Sequence, residues 1–106
     1  MSRPMILILS DDDPARANTA TQIVSAHAAL GAPTRLHLDG TAVRVLASSV
    51  FRDGIVAAQA LGARISACPT GLAEHGIDPD AVNGSESIGL VALFAEMDDH
   101  ARLVVL

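Results

Sequence analysis

Apolar and polar positions along this chain recur at two periods, and together they predict strands interleaved with helices. Met5-Ile6-Leu7-Ile8-Leu9 is an unbroken apolar run of strand length, the pattern of a strand buried on both faces. After a loop over residues 10–13, Asp13-Pro14 opens a helix. The Asp supplies an N-cap oxygen, and the Pro fills a first-turn position where its missing N–H costs nothing. Ala20, Ile23, Val24, His27 and Leu30 then recur at helical spacing, and Gly31 fits the left-handed residue that closes a helix. Thr34–Leu38 predicts a second strand, with His37 on the face opposite Leu36 and Leu38.

Asp39-Gly40 predicts a turn. Residues 41–46 carry an apolar pattern compatible with a short helix or with a further strand near 43–50. An Ala-rich helix follows over residues 52–61 and ends at Gly62. Arg64–Ala67 reads as a strand, with a short helix behind it that stops at Gly76. Residues 77–84 form a polar loop, 85–97 a strongly apolar helix, and 101–106 a closing strand. The segments His27–Ala32 and Ala58–Ala63 resemble each other, as any helix–Gly–strand joint does, so the likeness does not imply a solenoid. Strands alternating with helices imply an α/β three-layer sandwich: a parallel sheet of four to five strands with helices on both faces.

Composition narrows the functional classes. The chain has 106 residues, the size of one domain spanning 1–106. Half the residues are hydrophobic and 18% charged, which excludes disorder as the main state. Net charge is −5 and all seven basic side chains are Arg, so an electrostatically driven nucleic-acid partner is not expected. Two Phe with no Tyr or Trp leave almost no platform for stacking bases. No apolar run approaches the roughly 20 residues of a membrane span. The first residues lack the pattern of an export signal, and one Cys forms no internal disulfide, so a reducing cytoplasm is the expected location.

In an open parallel sheet, sites gather at the carboxyl ends of the strands. Cys68, the only thiol, lies there, where a strand stops and Pro69-Thr70-Gly71 starts a helix. Helix N-termini present unpaired N–H groups and a partial positive charge, an environment that favours thiolate. Pro69 has no N–H, so the expected donors are Thr70, Gly71 and Leu72. Gly71 would also leave room for an anion. No CxxC is present, which excludes dithiol exchange, and His75 lies too far along the helix to serve as a base beside the sulfur. In the run Asp11-Asp12-Asp13, Asp13 is taken by the helix cap, and Asp11 with Asp12 and His37 are candidate binding residues. The acidic run suggests a receiver-domain metal corner, but such a site needs a Lys that the chain lacks. No two His show ligand spacing, and no Walker loop or GxGxxG occurs, so neither a metal nor a nucleotide cofactor is expected.

Several stretches, in order, resemble the DsrE/DsrF-like sulfur-relay family. They are Pro4 to Leu9 with its acidic loop and the helix from Pro14; the Leu36 to Val45 stretch around Asp39-Gly40; the run Leu61-Gly62-Ala63-Arg64-Ile65-Ser66-Ala67-Cys68 followed by a short helix and Gly76-Ile77; and a tail with an apolar helix, Asp98-Asp99 and a Val-rich strand. The resemblance implies a parallel α/β sandwich assembled as a trimer or hexamer. It also implies that Cys68 carries sulfane sulfur as a persulfide between donor and acceptor proteins. The competing expectations are an oligomeric binding protein of the same fold with an inert cysteine, and a small-molecule or metal-binding domain using Asp11, Asp12 and His37.

Overall fold

The computed structural model describes residues 3–106. β1 (Met5–Leu9) is buried at every position, as its uninterrupted apolar run requires. Asp13 caps α1 (Pro14–Ala29): its carboxylate accepts from the Arg16 N–H at 3.0 Å, and Pro14 occupies the first turn. Gly31 follows at φ 83°, a left-handed conformation open to Gly without cost, and the chain turns into β2 (Thr34–Leu38). Gly62, at φ 103°, makes the same joint between α2 (Ser49–Ala60) and β3 (Arg64–Ala67), so the two similar segments are two helix–strand joints. The Pro69 helix, α3, spans Pro69–Glu74.

Residues Gly40–Ala47 form a 3-10 helix, the short-helix alternative of the two the sequence left open, and two other segments differ from the sequence expectation. Ala42, Val43, Val45 and Leu46 are buried there and Arg44 is exposed, so the apolar pattern serves a packed connection between β2 and α2. α2 begins at Ser49, three residues before the expected start. The single helix expected over 85–97 is divided. Glu86–Ser87 form β4, and α4 (Leu90–Glu96) starts after Gly89. Strand pairing takes the first part of this stretch because the Ile88 N–H reaches the Ala67 carbonyl at 3.0 Å, while Arg64 grips the Glu86 carboxylate through Nε at 3.0 Å and Nη2 at 2.7 Å. The fifth strand therefore comes from 86–87 and not from 43–50. β5 (Arg102–Val105) closes the fold.

The five strands are all parallel, in the order β4-β3-β2-β1-β5. Helices cover both faces. Met5, Leu7, Leu9, Leu36, Leu38 and Ile65 belong to the large core beneath α1, α2 and the 3-10 segment. Ile6 and Ile8, on the other face, pack with Leu93 of α4 in a smaller cluster. Among the described residues no helix is long and apolar enough to cross a membrane.

Candidate functional site at the carboxyl edge of the sheet

The sheet ladder continues one residue past the strands. The Asp39 N–H donates to the Leu9 carbonyl at 2.9 Å, Cys68 to Leu38 at 3.0 Å, and Ser10 to Leu106 at 3.1 Å. Asp39 and Cys68 are extended, so side-chain alternation carries through them. Ser10, Asp39, Cys68 and Ile88 therefore form an outermost row on the α4 face. The row beneath is Ile8, His37, Ser66 and Glu86, fixed by the strand register. The crevice between β1 and β5, where the strand order reverses, is tied shut by Ser10, whose Oγ also donates to the Leu106 carbonyl at 2.8 Å.

Cys68 is partly exposed and is the N-cap residue of α3. The three expected amide donors are not equivalent. The Leu72 N–H donates to the Cys68 carbonyl at 3.0 Å, closing the first helical turn, and the Leu72 side chain is buried. Leu72 is thus a structural residue, and a donor role remains open to Thr70 and Gly71, which have no backbone acceptor among the described residues. The missing side chain at Gly71 has a packing role. A Cβ there would lie 3.0 Å from Val43 Cγ1 and 3.2 Å from the Gly40 carbonyl oxygen, so the missing side chain lets α3 press against the 3-10 segment.

That contact sets two effects against each other in Gly71→Ala. Ala gains up to about 1 kcal/mol of helix propensity over Gly, while overpacking a tight core typically costs about 1–3 kcal/mol. Val43 is fully buried and β-branched, and the Gly40 carbonyl is backbone, so neither yields easily. We expect a net loss of about 1–2 kcal/mol in urea unfolding. Val43→Ala in the same chain should recover part of it in a double-mutant cycle, and strict additivity would contradict the contact.

His37 is fully buried and not a lining residue of the exposed row. Its Nδ1 shares a hydrogen bond of 2.8 Å with Ser66 Oγ, and Nε2 is enclosed without a partner. Burial, with help from the Arg35 charge and against that of Asp39, holds the imidazole pKa below its usual 6.5, so the ring is neutral at pH 7. Asp11 is engaged locally: Oδ1 accepts the Asp13 N–H at 3.1 Å and Oδ2 the Arg16 Nη1 at 2.8 Å. Asp12 lies 3.6 Å from Arg44. The structure keeps the Asp11 and Asp12 carboxylates on these loop partners and buries His37 against Ser66, so the three are not assembled into one site. Among the described residues, no three His, Cys, Asp or Glu side chains gather in a metal-binding arrangement.

Sequence reasoning missed a charged cluster on the same face. Arg35 Nη2 meets Glu96 Oε1 at 2.6 Å and its Nη1 lies 3.6 Å from Glu86 Oε2; Arg64 pairs with Glu86. The signal was present in the polar alternation Arg35/His37 and Arg64/Ser66, which gives the middle strands one polar face. A cavity of about 260 Å³ opens beside this cluster, lined by Thr34, Arg35, Arg64, Leu93 and Glu96 at the amino edge of the sheet, away from Cys68.

No protein-family model and no curated protein sequence matches the chain. Solved structures share its fold. The protein of unknown function MTH1491 from Methanobacterium thermoautotrophicum superposes with a TM-score of 0.78 at 15% identity, covering 98% of this chain and 99% of that one. The conserved protein of unknown function BT1422 from Bacteroides thetaiotaomicron gives 0.76 at 15% identity, with 96% and 94% covered. The ychN protein from E. coli gives 0.71 at 15% identity over 100% of both chains. At these identities the likeness establishes the fold alone.

Proposed function

We propose that this protein is a sulfur-relay carrier that holds sulfane sulfur as a persulfide on Cys68 and passes it to a partner thiol. The observation that carries the reading is the placement of Cys68: partly exposed, in the outermost row at the carboxyl edge of the sheet, and at the joint of β3 and α3. The resemblance to DsrE/DsrF-like proteins points to the same residue.

The chemistry is an exchange without net oxidation. The Cys68 thiolate attacks the terminal sulfur of a donor persulfide. A new S–S bond forms on Cys68 while the donor's S–S bond breaks, and the donor departs as thiolate with the bonding electron pair. An acceptor thiolate repeats the attack on the sulfur carried by Cys68. Such a step needs an accessible sulfur and a docking face more than a deep pocket. The Thr70 and Gly71 N–H groups are the backbone donors nearest in sequence to steady the anionic sulfur. The carrier works without a cofactor, with a sulfur donor protein and an acceptor protein in the cytoplasm, as a homo-oligomer of the trimeric or hexameric kind.

Partial exposure of Cys68 favours this reading over an oligomeric binding protein with a sequestered thiol. The test is incubation with inorganic polysulfide followed by intact-protein mass spectrometry. The wild type should gain the mass of one sulfur, removable by a thiol acceptor, and Cys68→Ala should gain none. Failure of the native wild type to take up sulfur, with Cys68 inert to iodoacetamide until the chain is unfolded, would sink the proposal.

A further inference from the structure

The sheet face that meets α4 carries two arginines side by side. Strand register sets Ile6 of β1, Arg35 of β2 and Arg64 of β3 in one row near the amino edge. Leu93 of α4 packs with Ile6 and Ile8, and Glu96, the last residue of that helix, reaches Arg35. The cavity of about 260 Å³ opens where these elements meet. Its sheet side is cationic, with Arg35 and Arg64. Its helix side is acidic, with Glu96 and, in the segment after α4, Asp98. Pro4, Ile6, Pro33, Leu93 and Ala101 add apolar surface to the lining.

Arg35 is deeply buried for a cation with so few partners. Its side chain is 6% exposed, yet among the described residues a single hydrogen bond holds it, from Nη2 to Glu96 Oε1 at 2.6 Å. Nη1 lies 3.6 Å from Glu86 and donates to nothing. Arg64, by contrast, is held to Glu86 through both Nε and Nη2. The Glu96 side chain is 48% exposed and sits at a helix end, so the bond that satisfies Arg35 is one that solvent can compete for. The charges lining the cavity cancel, two guanidiniums against Glu96 and Asp98. An anion bound on Arg35 would push Glu96 away and stand among the two displaced carboxylates. A cation bound on Glu96 would strip the enclosed Arg35 of its partner, the costly way to break such a pair. A molecule with both signs does neither. Its carboxylate takes Arg35, its ammonium takes Glu96, and every charge keeps an opposite neighbour.

We infer that this cavity binds a free α-amino acid with an apolar side chain, which inserts between Arg35 and Glu96 and divides their ion pair. The α-carboxylate lies on Arg35 with Arg64 adjacent, the α-ammonium on Glu96 and Asp98, and the side chain against Ile6, Leu93 and Pro4. The volume falls just below the roughly 300–1,000 Å³ of pockets for drug-sized ligands, which suits one amino acid and not a peptide. Binding is an exchange of ionic partners with no covalent step. It takes place at the opposite end of the sheet from Cys68 and does not depend on the sulfur-carrying reading.

The test is isothermal titration calorimetry with L-leucine, N-acetyl-L-leucine and L-leucinamide, which share one side chain and differ in the charges they keep. L-leucine should bind the wild type saturably and about tenfold or more tightly than either blocked analogue, because each analogue loses a charge-assisted hydrogen bond and strands its partner. Arg35→Met should abolish L-leucine binding while leaving the far-UV circular dichroism unchanged. Glu96→Gln decides the matter if the Met variant folds poorly. It removes the partner of the ammonium and frees Arg35, so the preference for L-leucine over N-acetyl-L-leucine should shrink or reverse, a change that a purely structural Glu96 would not produce. Absence of saturable L-leucine binding by the wild type would overturn the proposal. So would N-acetyl-L-leucine binding as tightly as L-leucine, which describes a plain anion site, L-leucine binding that persists in folded Arg35→Met, or an unchanged preference in Glu96→Gln.

Discussion

Glu86→Gln combined with Glu96→Gln is expected to cost about 3–5 kcal/mol of stability, whereas Arg35→Met should cost less than about 1 kcal/mol. The asymmetry follows from burial. The Arg35 side chain is 6% exposed, while the Glu86 and Glu96 side chains are 38% and 48% exposed. Removing both carboxylates leaves an enclosed guanidinium with no counter-ion beside the Arg64 charge; burial, and after it Arg64, already holds Arg35 below its ordinary pKa. Arg35 Nη1 is buried and makes no hydrogen bond even in the intact cluster. Removing the cation is different. Glu86 keeps two bonds from Arg64, Glu96 turns toward solvent, and a Met side chain fills the channel with apolar volume. Urea unfolding of the two variants measures both free energies at unchanged m-value. Equal losses from the two variants would mean that solvent reaches Arg35 after all.

The parts of this fold legible from sequence are those decided locally. The apolar run of β1, the Asp13-Pro14 helix start and the Gly31 and Gly62 joints each contain their own cause within a few residues. The missed parts depend on distant partners. Residues 86–88 pattern as helix but pair with β3, because Ala67 and Arg64, far earlier in the chain, offer a carbonyl and a guanidinium. The 3-10 segment is ambiguous alone and is settled by α3, whose Gly71 sits directly against Val43. The candidate site divides the same way. The place of Cys68 at a strand–helix joint was readable from Arg64 to Gly71. The occupation of the Leu72 N–H follows from where the first helical turn closes, one residue earlier than a count of free amides through Leu72 implies. The depth of His37 was not readable, since the alternation in β2 assigns it a face but not whether distant parts of the chain cover that face.

That covered histidine makes stability depend on pH. Burial is the main reason His37 stays neutral in the folded chain below its usual 6.5, and Arg35 adds to it while Asp39 opposes. Above pH 6.5 the ring is neutral in both folded and unfolded chains and contributes no slope. As pH falls below 6.5, the unfolded chain takes up a proton that the folded chain refuses, so stability declines until the folded-state pKa is reached. The slope from one such group is at most about 1.4 kcal/mol per pH unit. Glu86, held below 4.5 chiefly by its hydrogen bonds from Arg64, acts in a separate and more acidic window. Its contribution is present above 4.5 and disappears as pH falls through its lowered pKa. The double variant His37→Leu/Ser66→Ala removes both partners of the buried bond, so neither polar atom is stranded. The wild type should lose stability between pH 6.5 and 5, measured by urea unfolding at each pH, and the double variant should show a flatter profile over the same interval. Identical slopes in the two proteins would show that the folded chain admits the proton.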